Sequence, residues 1–186
     1  MMRIIAGTAK GHKLLSPLGQ GTRPTLDRVK ESIFDIIQNS VYGSNVLDMF
    51  AGTGSLGLEA ASRGAKTCCL IDKNTDTFSM LHQNIENLGF SDICSSYNMD
   101  SYKALEYFSE NSRVFDIIFI DPPYLKNMIP PAVESIEKRN LLEKDGLIVT
   151  KIDSSEDKYL GTSNICMTDY RKYGNTTICF YKYKEA

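Results

Sequence analysis

The chain has five cysteines, an odd number, and no two are spaced as C-x-x-C. His12 and His82 lie near none of them in sequence. That pattern argues against a zinc site and against a disulfide framework. Four of the five, Cys68, Cys69, Cys94 and Cys179, fall in segments that read as strands, where a thiol behaves as a small buried hydrophobe. Long apolar runs are also missing. The stretch 114–120 is among the longest and holds Asp116, far short of the ~18 apolar residues of a membrane span. The first residues, MMRIIAGTAKGHK, are basic but lack the apolar centre of a signal peptide, so cytoplasmic residence is the expectation. There is no excess of basic charge, 21 Lys and Arg against 23 Asp and Glu, which argues against a strongly basic nucleic-acid coat. No internal repeat or low-complexity segment interrupts the chain.

The 186 residues, 42% hydrophobic and 24% charged, suit one soluble domain with a proper core. The expected division is an appendage over 1–24 and a core over 25–186. Charge is uneven. Residues 1–31 carry six basic side chains against two acidic ones, and the remainder is acidic. Such an end suits an anionic partner as well as it suits a solvated arm.

Residues 2–6 and 12–15 read as two short strands of a hairpin. A glycine-containing loop, GQGTRP, leads to a helix from residue 25, capped by Thr25 or Asp27, with Leu26, Val29, Ile33, Ile36 and Ile37 on its buried face. From residue 45 strands alternate with helices. Strands are expected over 46–50, 67–72, 92–98, 114–121 and 146–152, and helices over 56–63, 75–87, 102–108 and 128–139. That order predicts βαβ units and a parallel sheet. Two β-rich runs, NICMTDYRKYG and NTTICFYKYK, then form an antiparallel hairpin at one edge.

The fold is centred on NVLDMFAGTGSLG, residues 45–57: a strand, a glycine turn and a helix start. Its spacing is G-x-G-x-x-G, shared with dinucleotide folds and weak alone. Asp48 sharpens it. A carboxylate at that strand end repels pyrophosphate and suits a cationic ligand, for which S-adenosylmethionine is the strongest physical candidate. Phe50, Ala51, Gly52, Thr53 and Gly54 supply the surrounding backbone. Asp72 ends the second strand, where an acid either accepts both hydroxyls of an adenosyl ribose or caps the next helix. Asp100, followed by Ser101, either takes an adenine amine or caps a helix.

The fourth strand ends in Asp121-Pro122-Pro123-Tyr124. Two prolines freeze the loop, since each fixes its own φ. The Asp121 carboxylate and the Pro122 carbonyl then offer two fixed acceptors to the two N–H groups of an exocyclic amine. An amine so held directs its lone pair at an electrophilic methyl, with most of the rate gained by positioning. Tyr124 supplies a face on which a base stacks, worth ~1–3 kcal/mol.

LDMFAGTGSLGLEAASRGA followed by FIDPPY resembles the class I, Rossmann-like S-adenosylmethionine methyltransferases that act on exocyclic amines. RIIAGTAKGHKL, RPTLDRVKESIFDII and the late RKYGNTTICFY narrow the resemblance to the RsmD family of bacterial 16S rRNA guanine-N2 methyltransferases, over nearly the whole chain. The resemblance implies a mostly parallel seven-stranded sheet with an antiparallel C-terminal hairpin, plus a small N-terminal β-hairpin and helix. It implies cofactor contacts at Asp48, Phe50, Ala51, Gly52, Thr53, Gly54, Asp72, Asp100 and Ser101, and a catalytic loop at Asp121, Pro122, Pro123 and Tyr124. Arg23, Thr25 and Arg28 match its RPT-x-x-R segment. With Arg3, Lys10 and Lys13 they are the expected RNA contacts. One departure is Thr150-Lys151 after the fifth strand, where many relatives carry an acid; Lys151 reads as a surface or RNA-facing charge.

The expected chemistry is direct methyl transfer from S-adenosylmethionine to guanine N2 of 16S rRNA, within a small ribosomal subunit or an assembly intermediate. No metal and no covalent enzyme intermediate are implied, and a monomer is expected. A DNA adenine-N6 methyltransferase is the alternative, because D-P-P-Y reads an amine and not a base. An NAD-dependent oxidoreductase is invited by the glycine spacing and opposed by Asp48.

Overall fold

In the computed structural model, residues 2–17 and 27–185 are described. Arg23, Thr25 and the expected start of the first helix lie outside the described residues. The elements run α1 (Asp27–Val41), β1 (Asn45–Asp48), α2 (Ser55–Ser62), β2 (Thr67–Ile71), α3 (Thr75–Asn87) and β3 (Cys94–Tyr97). They continue with α4 (Ser101–Glu110), β4 (Phe115–Ile120), α5 (Ile129–Lys138), β5 (Leu142–Asp153), β6 (Ile165–Tyr173) and β7 (Thr176–Tyr183).

The strands form one seven-stranded sheet in the order β3-β2-β1-β4-β5-β7-β6. The pairs among β1 to β5 are parallel. β7 runs antiparallel to both β5 and β6. The chain winds outward from β1 to β3, then crosses back and winds the other way from β4. The switch point therefore lies between β1 and β4, where the carboxyl ends of neighbouring strands open a crevice.

Period-two alternation divides the core into two layers. Ile117 and Phe119 of β4 and Val149 of β5 face one layer, packed with Val29, Ile33, Phe34 and Ile37 of α1. Ile118 and Ile120 of β4 and Ile148 of β5 face the other, with Ala104, Leu105 and Phe108 of α4 and Val133 and Ile136 of α5. The Phe34 and Phe119 rings meet at 5.7 Å. Covered on both sides, the parallel strands read as near-continuous apolar runs. Asp116, the one acid inside β4, accepts the Asn45 N–H at 2.7 Å.

Three expectations change in detail. Ile36 is 44% exposed, and Phe34 takes its place in the buried face of α1. β5 begins at Leu142 rather than residue 146, and its pairing with β4 shifts register between Phe115 and Ile117. The N-terminal hairpin is present as an Arg3–Lys13 bridge with backbone bonds from Ile4 N–H to His12, Gly11 N–H to Ile4 and Leu14 N–H to Met2, and is shorter than two regular strands. What fastens that arm to the core is tertiary. Glu59 of α2 is fully buried and accepts the N–H groups of Ile5 at 2.8 Å and Ala6 at 3.0 Å. The same carboxylate meets Arg63 at 2.8 Å and the buried Lys30 ammonium of α1 at 3.4 Å. Lys30 also donates to the Arg3 carbonyl. Burial lowers the Lys30 pKa, and the Glu59 carboxylate opposes that shift.

Candidate active site

Asp48 closes β1, flanked by β2 and β4. Its side chain is buried, and Oδ2 accepts the Gly57 N–H at 3.0 Å. Among the described residues Oδ1 has no hydrogen-bond partner although it is out of solvent. Burial pushes the Asp48 carboxyl up to about 7; the Gly57 N–H works against this, and the Asp121 and Asp72 carboxylates add to it. The three acids at the ends of β1, β2 and β4 therefore share one electrostatic neighbourhood.

The turn after β1 has its glycines in left-handed conformations that side chains resist, Gly52 at φ +56° and Gly54 at φ +98°. They differ in surroundings. A Cβ on Gly54 would stand 2.6 Å from Leu58 Cδ1 and 2.7 Å from Leu81 Cδ1, so that glycine packs the loop onto α2 and α3. A Cβ on Gly52 would meet nothing within 4 Å, so its backbone borders open space. Thr53 is buried, with its hydroxyl against the Met2 sulfur at 3.6 Å and its carbonyl accepting from Asn84 at 2.9 Å. Ala51 N–H bonds the Ile71 carbonyl at 2.8 Å, and Phe50 is half-buried beside the α4–α5 layer.

Asp72 fastens this turn to α3. Its Oδ2 accepts the Gly52 N–H at 2.8 Å, and its Oδ1 accepts the Asn74 N–H at 2.8 Å and the Thr77 hydroxyl at 2.7 Å. The cap of α3 is Asn74, not Asp72. Asp100 caps α4, its Oδ1 accepting from the N–H groups of Tyr102 at 3.0 Å and Lys103 at 3.3 Å. The buried Ser101 hydroxyl donates to the Met49 carbonyl, which ties α4 to the turn after β1.

Asp121 follows β4 directly, with Pro122 buried, Pro123 exposed and Tyr124 half-buried. The Tyr124 hydroxyl lies 3.5 Å from the Thr176 hydroxyl at the start of β7. Here one expectation is overturned. Lys151 is not a surface charge: it is 6% exposed, and its Nζ donates to Asp121 Oδ1 at 2.9 Å and Oδ2 at 2.8 Å. The same nitrogen sits 5.4 Å from the centre of the Tyr124 ring. Burial works against the Lys151 charge, but the Asp121 carboxylate and Tyr124 together hold its pKa above the usual lysine value. No local sequence pattern signalled this. In the folded sheet Ile120 of β4 pairs with Thr150 of β5, so the next residues, an acid and a base, come out side by side.

The expected RNA contacts are distributed over the arm and α1. Lys10, Lys13 and Arg28 are exposed, and Arg3 is held by Asp27 at 2.8 Å. The basic count of residues 1–31 overstates what an anion can meet, since Lys30 lies buried against Glu59. Among the described residues no group of three or more His, Cys, Asp or Glu side chains is placed to hold a metal ion, and no helix is long and apolar enough to cross a membrane.

This sheet order, with acids at the carboxyl ends of adjacent strands beside a glycine turn, defines the Rossmann-like methyltransferase class. The family model described as Conserved hypothetical protein 95 matches residues 2–182, and the chain belongs to that family, the RsmD-like class I methyltransferases. A Bacillus subtilis (strain 168) protein, YlbH, provisionally named an rRNA methyltransferase, is 35% identical over 181 residues, covering 97% of this chain and 98% of that one. The Haemophilus influenzae ribosomal RNA small subunit methyltransferase D is 35% identical over 165 residues, covering 87% of this chain and 82% of its own. The solved structure of a hypothetical protein from Thermus thermophilus superposes with a TM-score of 0.85 at 25% identity, covering 98% of this chain and 99% of that one.

Proposed function

We propose that the protein is an S-adenosylmethionine-dependent methyltransferase that modifies the N2 amine of a guanine in 16S rRNA. The observation that carries this reading is the acceptor pair Asp121 and Pro122 at the switch point, beside the acid and glycine turn of β1. Names of the relatives support an rRNA substrate. Two features of the β1 turn fit the cofactor. Asp48 Oδ1 is a buried acceptor without a hydrogen-bond partner among the described residues, as suits a cationic or hydroxyl-bearing ligand, and a Cβ on Gly52 would meet nothing within 4 Å. Asp48, Phe50, Ala51, Gly52, Thr53 and Gly54 would hold its amino-acid end, Asp72 its ribose, and Asp100 with Ser101 its adenine.

Bound there, S-adenosylmethionine supplies a methyl carbon whose bond to the cationic sulfur breaks with both electrons passing to sulfur, leaving the neutral thioether. The chain's own residues do the rest. Asp121 and the Pro122 carbonyl accept the two amine hydrogens and so direct the nitrogen lone pair, which forms the new N–C bond, at that carbon. Tyr124 stacks on the guanine, which must leave its own stack to arrive. As the nitrogen becomes cationic, the Asp121 carboxylate stabilises it and passes its proton to water. Pro123 keeps the loop rigid.

Asp121→Ala is the test. It is expected to bind cofactor as the wild type does and to lose methyl transfer by about 10²-fold or more. Wild-type transfer by this variant would overturn the reading. Presenting labelled cofactor with undermodified small subunits, free 16S rRNA and DNA, then mapping the modified base, checks the acceptor. Label confined to adenine N6 in DNA would replace the guanine reading.

A further inference from the structure

Lys151 is buried, charged and in contact with the loop proposed to do the chemistry, yet nothing above gives it a task. Its place comes from the backbone. β4 and β5 pair in parallel, with Ile120 opposite Thr150, so Asp121 and Lys151 emerge together from adjacent strands. The ammonium reaches both oxygens of one carboxylate at nearly equal distances, 2.9 and 2.8 Å. Side-chain exposure is 7% for Lys151 and 19% for Asp121, so the pair is largely sheltered from water. A contact of this kind fixes the plane of the carboxylate and thereby the directions of its remaining lone pairs. The same nitrogen lies over the Tyr124 ring, at 5.4 Å from its centre. One cation therefore touches both side chains of the motif that carry polar or stacking contacts.

A buried lysine is costly unless paired, and an apolar residue of similar size fills such a site more cheaply. Its position is better explained by what it does to its neighbours. The Asp48, Asp72 and Asp121 carboxylates converge here, and Asp72 and Asp121 already act on Asp48. Like charges this close repel one another, so an Asp121 carboxylate left unheld turns away from its neighbours. A rotated Asp121 accepts an amine hydrogen poorly.

We propose that Lys151 is a positioning residue for methyl transfer: it holds the Asp121 carboxylate in one orientation and sets the Tyr124 ring beside it. The proposal rests on the reading of Asp121 as the amine acceptor. Lys151 itself touches neither substrate nor cofactor, and it acts through Asp121 and Tyr124. The new N–C bond and the departing proton are those already described; Lys151 keeps its proton throughout.

Lys151→Met removes the ammonium and keeps the bulk. The expected result is a fall in kcat of about 10²-fold, since a displaced catalytic group costs on that order. KM for RNA and cofactor affinity by calorimetry are expected to change less than about threefold, within the scatter of such measurements. The loss falls on kcat and not on KM, because a carboxylate free to rotate presents its lone pairs in more than one direction. Lys151→Arg, which keeps a cation beside Asp121, returns most of the lost kcat. A merely structural lysine would lower Tm and leave kcat of the folded protein unchanged.

Folded Lys151→Met protein with wild-type kcat overturns the proposal. If Lys151→Met does not fold, Lys151→Gln carries the same test, and failure of both to fold at any pH assigns the residue to stability and also overturns it. Asp121→Ala separates the two readings. Loss of transfer in Asp121→Ala with wild-type behaviour in Lys151→Met sinks only the role of Lys151. Full transfer in Asp121→Ala sinks both.

Discussion

Asp48 shows how a single side chain links folding, ligand and pH. Its folded-state pKa stands at about 7, against an ordinary value of 3.8. Between those values the unfolded chain has released this proton while the folded chain keeps it. The contribution to stability is therefore largest below the ordinary value and falls as pH rises toward about 7, beyond which it is flat. Cofactor binding runs the opposite way, because an ionised Asp48 is the better acceptor for a cationic ligand. Cofactor affinity is expected to rise as pH passes through about 7. Asp48→Asn flattens both dependences, in thermal melts and in calorimetric titrations respectively. An unchanged affinity profile in that variant would remove Asp48 from the cofactor site. The buried Oδ1 makes the residue a stronger candidate than its place in a G-x-G-x-x-G pattern does, since an acceptor without a donor is costly to keep.

At the scale of elements, the arm before α1 combines its own short hairpin with an anchor on α2. Two N–H groups of the arm and two cations converge on the buried Glu59 carboxylate. Glu59→Ala strands Lys30 as a buried cation with one fewer partner, at a cost of about 3–5 kcal/mol. Hydrogen exchange is expected to show Ile5 and Ala6 losing protection first, well before the strands of the sheet. If those amides stay protected while the whole protein loses stability, the network is packing for α1 and α2 and does not anchor the arm. β5 makes a similar point. Its early start comes from Leu142 pairing with Phe115 of β4, not from local propensity, since Glu143, Lys144 and Asp145 favour a turn and lie in the register shift before Leu147 meets Ile117.

For the whole molecule, a net charge of −2 means that the RNA binding proposed above would have to come from local patches. Lys10 and Lys13 are exposed on the arm, whereas Arg3 is paired and Lys30 is buried. Replacing Lys10 and Lys13 together by Ala is expected to weaken RNA binding, to lower the slope of log affinity against log salt by about 1–2, and to leave cofactor binding intact. An unchanged slope in filter-binding assays would place the RNA elsewhere. The fold itself was largely legible. Strand and helix alternation implied the parallel sheet, and the two β-rich runs implied the antiparallel edge of β6 and β7.

By itself the sequence determined the class of fold, the glycine turn with Asp48, and the rigid Asp121-Pro122-Pro123-Tyr124 loop, because each is written in contiguous residues whose backbone preferences are local. The tertiary structure decided what depends on register and burial. It set Lys151 against Asp121 across two strands thirty residues apart in the chain, made Asp72 a brace for the Gly52 turn, and buried Lys30 on Glu59. A charge looks alike in sequence whether water or a carboxylate surrounds it; only the neighbouring strands and helices settle which. The glycine turn and the D-P-P-Y loop were each legible alone, but their sharing of one crevice with a buried lysine is a property of the folded sheet.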